Sequence, residues 1–311
     1  MELSALLESV RNIEVRTNRL VNDTMVGAYL SQFRGRGMDF EELREYMPGD
    51  DVRDIDWNVT NRMGRPFVKR FREERELGMV LAVDVSGSAA FGSGNRTKRE
   101  FAAEVAATIA VSAARSSDKV ALLMFSQEVE LFVPPRKGRR HILRILRELL
   151  SLEPRSRGTD IPAALTFLNH VLHRRSLVFL LTDFLHTQGA ATDGLFGTGA
   201  VKTTRDVFQE LGLTNSRHDL VCVHLHDPLE SAIPGAGLVT FEDAETGELL
   251  EVDSHRARNR QQYSATNAER LMQLDRALLH AGVDTVRLNT AEPFAHALQR
   301  FFELRRGRRR G

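Results

Sequence analysis

The stretch Met79-Val80-Leu81-Ala82-Val83-Asp84-Val85-Ser86-Gly87-Ser88 decides how the chain is read. Five apolar residues run into an aspartate, and two serines follow at alternate positions. An unbroken apolar run of this kind predicts a strand covered on both faces. Asp84 then stands where the strand leaves the sheet, and Ser86 and Ser88 fall in the loop beyond it. A carboxylate and two hydroxyls in one tight loop offer oxygen ligands, which suits a hard cation such as Mg²⁺.

Outward from this run the chain alternates. Residues 98–114 predict a helix with alanine-rich faces, and Val120–Phe125 a second strand. Residues 128–133 alternate as an edge strand does, joined by the short link Ser126-Gln127 that suits an antiparallel hairpin. Helices are predicted over 140–152 and 161–172, the second starting after Gly158-Thr159-Asp160. Residues 176–183 form another strand that ends on an aspartate. A helix near 204–212, a strand over 220–225, a hairpin over 238–253, a long helix over 256–281 capped by Ser254, a strand over 285–288 and a helix over 292–304 follow. Residues 187–203, rich in glycine, threonine and alanine, read as a mobile loop. Strands alternating with helices predict an α/β fold with a doubly wound, mainly parallel sheet flanked by helices.

Before the sheet, residues 1–20 have helical apolar spacing. Two glycines in Arg34-Gly35-Arg36-Gly37 break the pattern, Pro48-Gly49 signals a turn, and Asp50 or Asp51 can cap a short helical turn after it. Residues 66–77 read as extended. The division is therefore an N-terminal extension over 1–77, a sheet domain over 78–304 and a basic tail over 305–311.

The 311 residues carry 43 Lys and Arg against 42 Asp and Glu, so no global charge draws the chain to nucleic acid or membrane. No segment reaches the roughly 18 apolar residues that span a bilayer, and residues 1–19 lack the apolar core of a signal peptide. The single cysteine, Cys222, lies in an apolar run, excludes an internal disulfide and fits a reducing compartment. A cytoplasmic protein is expected.

In doubly wound sheets, ligands sit beyond the carboxyl ends of the strands where the strand order reverses. Asp84 and Asp183 both end strands, and Thr159 lies in a loop that opens a helix. The order Asp-x-Ser-x-Ser, threonine, aspartate resembles the metal-ion-dependent adhesion site of von Willebrand factor A domains. That resemblance implies Mg²⁺ (or Mn²⁺) held by Asp84, Ser86, Ser88, Thr159 and Asp183. The serines and threonine would bind the ion directly or nearly so, the aspartates would act through bound waters, and the last position would be left for a partner's carboxylate. On residue chemistry alone, the two aspartates can also be read as loop caps.

The N-terminal block is similar to a second signature. Leu43-Arg44-Glu45-Tyr46, Pro48-Gly49-Asp50-Asp51, Arg53, Ile55-Asp56-Trp57 and Asn61-Arg62 resemble the "domain of unknown function 58" family, as do Asp227-Pro228-Leu229-Glu230 and Asp243-x-Glu245-Thr246-Gly247. This resemblance implies action beside a MoxR-type AAA+ ATPase in maturing protein complexes, with the ATPase or its client captured through an acidic residue. The acidic and basic residues of the block are themselves expected to form ion pairs, with Arg44, Arg53 and Arg62 opposite Asp50, Asp54 or Asp56.

Other chemistries fit less well. A haloacid-type phosphatase needs a second carboxylate two residues after Asp84 to protonate the leaving group, and Ser86 stands there. Gly-x-Ser-x-Gly is absent around Ser86, and the glycines of 189–199 lead to no Gly-Lys-Ser/Thr ending. His224 and His226 share a strand face without a third transition-metal ligand. The arginine tail has no interleaved aromatic residues for stacking on bases. The expected function is a non-enzymatic, metal-dependent interaction module; a metal-dependent hydrolase using the same aspartates is the alternative.

Overall fold

In the computed structural model, the described residues are 13, 17, 37–74, 78–94, 96–185, 206–242, 244 and 247–308. They form two compact units, one within residues 33–77 and the other holding everything described from Gly78 onward together with Ile13 and Thr17.

The smaller unit is a two-stranded antiparallel ribbon. β1 (Gly37–Glu45) pairs with β2 (Phe67–Glu74), with a bulge between Phe40 and Glu42. The glycine-rich start was expected to interrupt structure; Gly37 instead opens β1, because β2 supplies a ladder that local propensity does not reveal. Between the strands, Asp51 caps a 3-10 turn (Val52–Asp54) and Asp56 caps α1 (Trp57–Met63) by accepting the N–H groups of Asn58 and Val59. Pro48-Gly49 turns the chain with Gly49 at φ +112°, a left-handed value open to glycine.

The larger unit is a six-stranded sheet. Its members are β3 (Gly78–Asp84), β4 (Lys119–Phe125), β5 (Val129–Arg136), β6 (Leu177–Thr182), β7 (Asp219–His226) and β10 (Asp284–Asn289), in the order β10-β7-β6-β3-β4-β5. All neighbours are parallel except β4 and β5, which form the expected antiparallel edge. β8 (Leu238–Glu242) and β9 (Leu249–Asp253) make the separate hairpin.

Both sheet faces are covered, which explains the continuous apolar runs. One set of alternate residues, including Val80, Ala82, Leu123, Val178, Leu180 and Cys222, packs with α4 (Ile161–Val171), α5 (Val207–Arg217) and α7 (Ala257–His280). On the other face lies α2 (Lys98–Arg115), whose buried Ala102, Ala103, Ala106, Ala107, Ala110 and Ala113 permit close approach. α3 (Arg139–Ser151) packs on α2, while Phe302 of α8 (Phe294–Arg308) meets Phe179 of β6 edge-on at 6.2 Å and Phe294 meets Phe101 of α2 edge-on at 5.7 Å. This is the expected α/β, doubly wound, mainly parallel architecture.

Two local expectations are corrected. Ser254 does not cap α7, whose N-cap is Arg256; its hydroxyl donates to the Gly237 carbonyl at 2.7 Å and accepts the Ala236 N–H at 2.9 Å, tying the base of the hairpin. The basic tail does not begin at Arg305. α8 continues to Arg308, and Arg305 is buried with its guanidinium against Asp219 and, at 2.7 Å, Asp284. Those aspartates open β7 and β10, an acidic pair that the arginine run alone could not disclose. Of the predicted first helix, Ile13 and Thr17 are described and helical. The 187–203 loop lies outside the described residues.

Candidate functional site

Strands β3 and β6 are adjacent, and the chain leaves them toward opposite edges of the sheet. The carboxyl ends of these two strands therefore flank the switch point where such folds place ligands. Asp84 is the last residue of β3, and Asp183 directly follows β6. Asp84, Ser86, Ser88 and Asp183 are all buried, Ser86 at 2% exposure.

The geometry of the serine loop follows from short-range bonds. Asp84 Oδ1 accepts the Ser86 N–H at 3.0 Å, closing the turn that leaves the strand. Ser86 Oγ and Ser88 Oγ lie 3.1 Å apart, with Ser88 held in a 3-10 turn over Gly87–Ala90. The Val85 N–H donates to Phe125 O at 2.9 Å and continues the parallel register one residue past the strand. Gly87 is wedged between two backbones. A Cβ there would fall 2.4 Å from the Ala244 carbonyl oxygen at the tip of the β8–β9 hairpin and 3.2 Å from that of Arg157.

Thr159 reaches this neighbourhood through its loop. Arg157 O accepts the Gly87 N–H at 2.8 Å, and the Asp160 N–H donates to Ser126 O at 2.9 Å, so the segment containing Thr159 is fixed on both sides beside the serine loop. Thr159 itself is half-buried, and Asp160 caps α4 through the Ala163 N–H. The fifth candidate, Asp183, accepts the Leu185 N–H through Oδ1 at 3.1 Å. Thr182 joins the two aspartate loops: its hydroxyl donates to Asp84 Oδ2 at 2.7 Å and accepts the Phe184 N–H at 3.3 Å. Phe184 has φ +53°, a left-handed conformation uncommon for an aromatic residue, at the point where the chain turns away from Asp183.

Three residues of this site escape a reading by motif. Lys98, the first residue of α2, is 1% exposed with Nζ 2.6 Å from Asp183 Oδ2 and bonded also to Glu230 Oε1. Glu230 lies in the one-turn helix α6 (Pro228–Ser231), where Asp227 and Glu230 form a capping box. Its Oε2 accepts the Asp227 N–H at 3.1 Å and sits 3.3 Å from His226 Nδ1. The Asp-Pro-Leu-Glu spacing announces the cap but not its pairing with a lysine 132 positions away. Thr182 is the third, the last residue of β6 and directly before Asp183.

The electrostatics are those of a buried acidic cluster with one cation. Burial, and then the negative charge of Asp183, push the Asp84 carboxyl up to about 6. Burial works against the charge of Lys98, but Asp183 and Glu230 outweigh it and hold the ammonium above its usual range. Glu230 is likewise opposed by burial and held below its usual range by His226 and Lys98. With all four groups ionised, Asp84, Asp183, Glu230 and Lys98 sum to two negative charges.

This donor set fits a hard divalent cation. It offers hydroxyl and carboxylate oxygens, a charge equal and opposite to that of Mg²⁺, and a spacing between serine oxygens suitable for neighbouring positions of an octahedral shell. No three or more His, Cys, Asp and Glu side chains among the described residues come together as metal ligands, so a cation here would depend on the serine and threonine hydroxyls beside Asp84 and Asp183. Of the two strand-face histidines, His224 is buried against Phe184, and its Nδ1 accepts from Arg287 Nε at 3.3 Å. Burial pushes the Cys222 thiol well above its usual range, which makes it an inert core residue.

The charged residues of the smaller unit do something different. Arg44 forks onto Asp50 with bonds of 2.9 and 2.6 Å, and Asp50 also accepts the Met47 N–H, locking the Pro48-Gly49 turn. Asp56 takes Lys69 at 3.0 Å, not one of the arginines expected for it, and that ammonium holds its carboxyl below the usual range.

Comparison with known proteins agrees with this picture at the level of family. The Mycobacterium tuberculosis protein described as "Uncharacterized protein Rv1480" is 27% identical over 303 residues, covering 97% of this chain and 90% of the relative. "Uncharacterized protein MAV169" of Mycobacterium avium is 26% identical over 178 residues, 56% of this chain and 94% of its own. Among solved structures, the conserved hypothetical protein BatB from Bacteroides thetaiotaomicron has a TM-score of 0.45 at 13% identity, covering 74% of this chain and 98% of BatB. An uncharacterized membrane-spanning protein from Vibrio fischeri has a TM-score of 0.25 at 19% identity, covering 73% and 98%. No described helix of the present chain is long and apolar enough to cross a membrane. The family model described as "Protein of unknown function DUF58" matches residues 42–272, which take in both the Arg44–Asp50 turn and the Asp84–Asp183 site, and the chain belongs to that family.

Proposed function

We propose that the sheet domain is a metal-dependent protein–protein interaction module. The observation that carries this reading is the convergence of Asp84, Ser86, Ser88, the Thr159 loop and Asp183 at the carboxyl ends of β3 and β6, with a net charge that a divalent cation would neutralise. When bound, Mg²⁺ or Mn²⁺ supplies Lewis acidity toward a carboxylate. The chain's own part is to orient and desolvate. Ser86 and Ser88 present their oxygens from a turn fixed by Asp84, Thr182 keeps Asp84 in place, and the buried setting strengthens attraction for an incoming Asp or Glu.

The partner we propose is a MoxR-type AAA+ ATPase or its client, met in the cytoplasm through an acidic residue, with this protein as a non-enzymatic adaptor in complex assembly. Family membership and the similarity of the signature support that choice. The test is calorimetric titration with Mg²⁺ and Mn²⁺, followed by pull-down from native cells with metal and with chelator. Wild type should bind, Asp84→Ala should bind about tenfold or more weakly, and capture of the ATPase or client should require metal. Absence of binding by wild type, or equal binding by the variant, refutes the metal site. Turnover of a phosphoester or peptide that disappears in Asp84→Asn would put a hydrolase in its place.

A further inference from the structure

A lysine becomes almost fully buried only where its ammonium is paired. Lys98 has two carboxylate partners of unequal standing. Asp183 belongs to the proposed cation site, whereas Glu230 is anchored apart from it, its other oxygen engaged by the Asp227 N–H and near His226. The ammonium also lies 5.8 Å from the centre of the Phe91 ring, at the end of the 3-10 turn that carries Ser88. A fixed positive charge thus stands beside one ligand carboxylate, and a second carboxylate is placed to keep that charge satisfied.

We propose that Lys98 sets the affinity of the cation site by acting as the resident counter-ion of Asp183. Its positive charge weakens Asp183 as a donor to an arriving cation, and Glu230 retains the ammonium when Asp183 turns toward the metal. The inference rests on the reading of Asp84, Ser86, Ser88, Thr159 and Asp183 as a metal site and adds a residue that the motif does not contain. Lys98 is a positioning residue, since it acts on the metal through Asp183. The consequence is a site poised for release and recapture, in contrast to a permanently loaded one.

Two substitutions should move affinity in opposite directions, which a purely structural role would not do. Lys98→Met keeps the length of the stem and removes the charge; Glu230→Gln removes the competing negative charge and leaves the ammonium more fully to Asp183. Calorimetry with Mg²⁺ and with Mn²⁺ on the full chain, paired with thermal melts in chelator and in saturating metal, reads both. Lys98→Met is expected to bind about tenfold or more tightly, with a larger metal-dependent rise in Tm, and Glu230→Gln about threefold or more weakly. If wild type binds while Lys98→Met binds no better, the role of Lys98 is overturned and the metal site stands. If no protein binds, both fall. Should Lys98→Met unfold in chelator, its recovery on adding Mg²⁺ supports the proposal. Failure to recover, together with unchanged affinity in Glu230→Gln, overturns it.

Discussion

The two units of this chain handle charge in opposite ways. In residues 33–77, ion pairs are partly exposed and brace backbone: Arg44 is 32% and Lys69 40% exposed, and their partners Asp50 and Asp56 close a turn and cap a helix. In the sheet domain, Lys98, Asp183 and Glu230 lie almost out of water at the end of the central strands. The solvated pairs need little from their surroundings and contribute little. The buried cluster is costly to disturb, because each member left alone would face a desolvated charge. Signature density along a sequence therefore does not measure where chemistry is concentrated. The richest run of charged motif builds a turn framework, and the sparser Asp-x-Ser-x-Ser builds the site.

The contrast can be broken by substitution, and the single tryptophan helps. Trp57 lies in the smaller unit, so its fluorescence follows that unit while circular dichroism is dominated by the sheet domain. The largest effect is expected for Lys98→Met in chelator, which should lower the stability of the sheet domain by about 3–5 kcal/mol and leave the Trp57 transition in place. Next comes acid. Burial, then Arg287, push His224 down to about 3, against 6.5 when unfolded. Its folded pKa is lowered, so the folded form resists a proton that the unfolded chain accepts. The stability is full above pH 6.5 and is lost as pH falls from there toward 3. Between pH 6.5 and 4.5 wild type should lose about 2–3 kcal/mol more than His224→Gln, measured by urea unfolding.

Gly87→Ala tests the packing around the site. Its methyl must displace the Ala244 backbone and crowd that of Arg157, at a cost of about 1–3 kcal/mol in the sheet-domain transition. The smallest effect belongs to Arg44→Ala. Losing the fork onto Asp50 should cost about 1 kcal/mol or less, seen in Trp57 fluorescence alone. A larger loss for Arg44→Ala than for Lys98→Met would invert the comparison.

The strands of the sheet domain were legible because burial on both faces leaves continuous apolar runs such as Met79–Val83, and the edge hairpin showed through its short link, which the structure lengthens by one residue to Ser126-Gln127-Glu128. Asp84 and Asp183 stood out because each interrupts such a run at its end. What stayed hidden depends on contacts distant in sequence. Lys98 opens a helix, where a lysine ordinarily meets water, and only the folded sheet brings Asp183 and Glu230 to it. β1 was missed because its pairing with β2 spans an intervening helix and turn. Arg305 was missed because its acidic partners start two different strands. The Asp227–Glu230 cap was visible as a spacing, but its role beside the site was not.

One small bond has a mechanical meaning. Thr182 ends β6, and its hydroxyl grips Asp84 at the end of β3 while receiving the N–H of Phe184 beyond Asp183. The loops that hold the two aspartates are thus bolted together at the rim of the two innermost strands. Tension applied at either loop therefore reaches both β3 and β6 through this one hydroxyl, beside the parallel ladder that already joins the two strands.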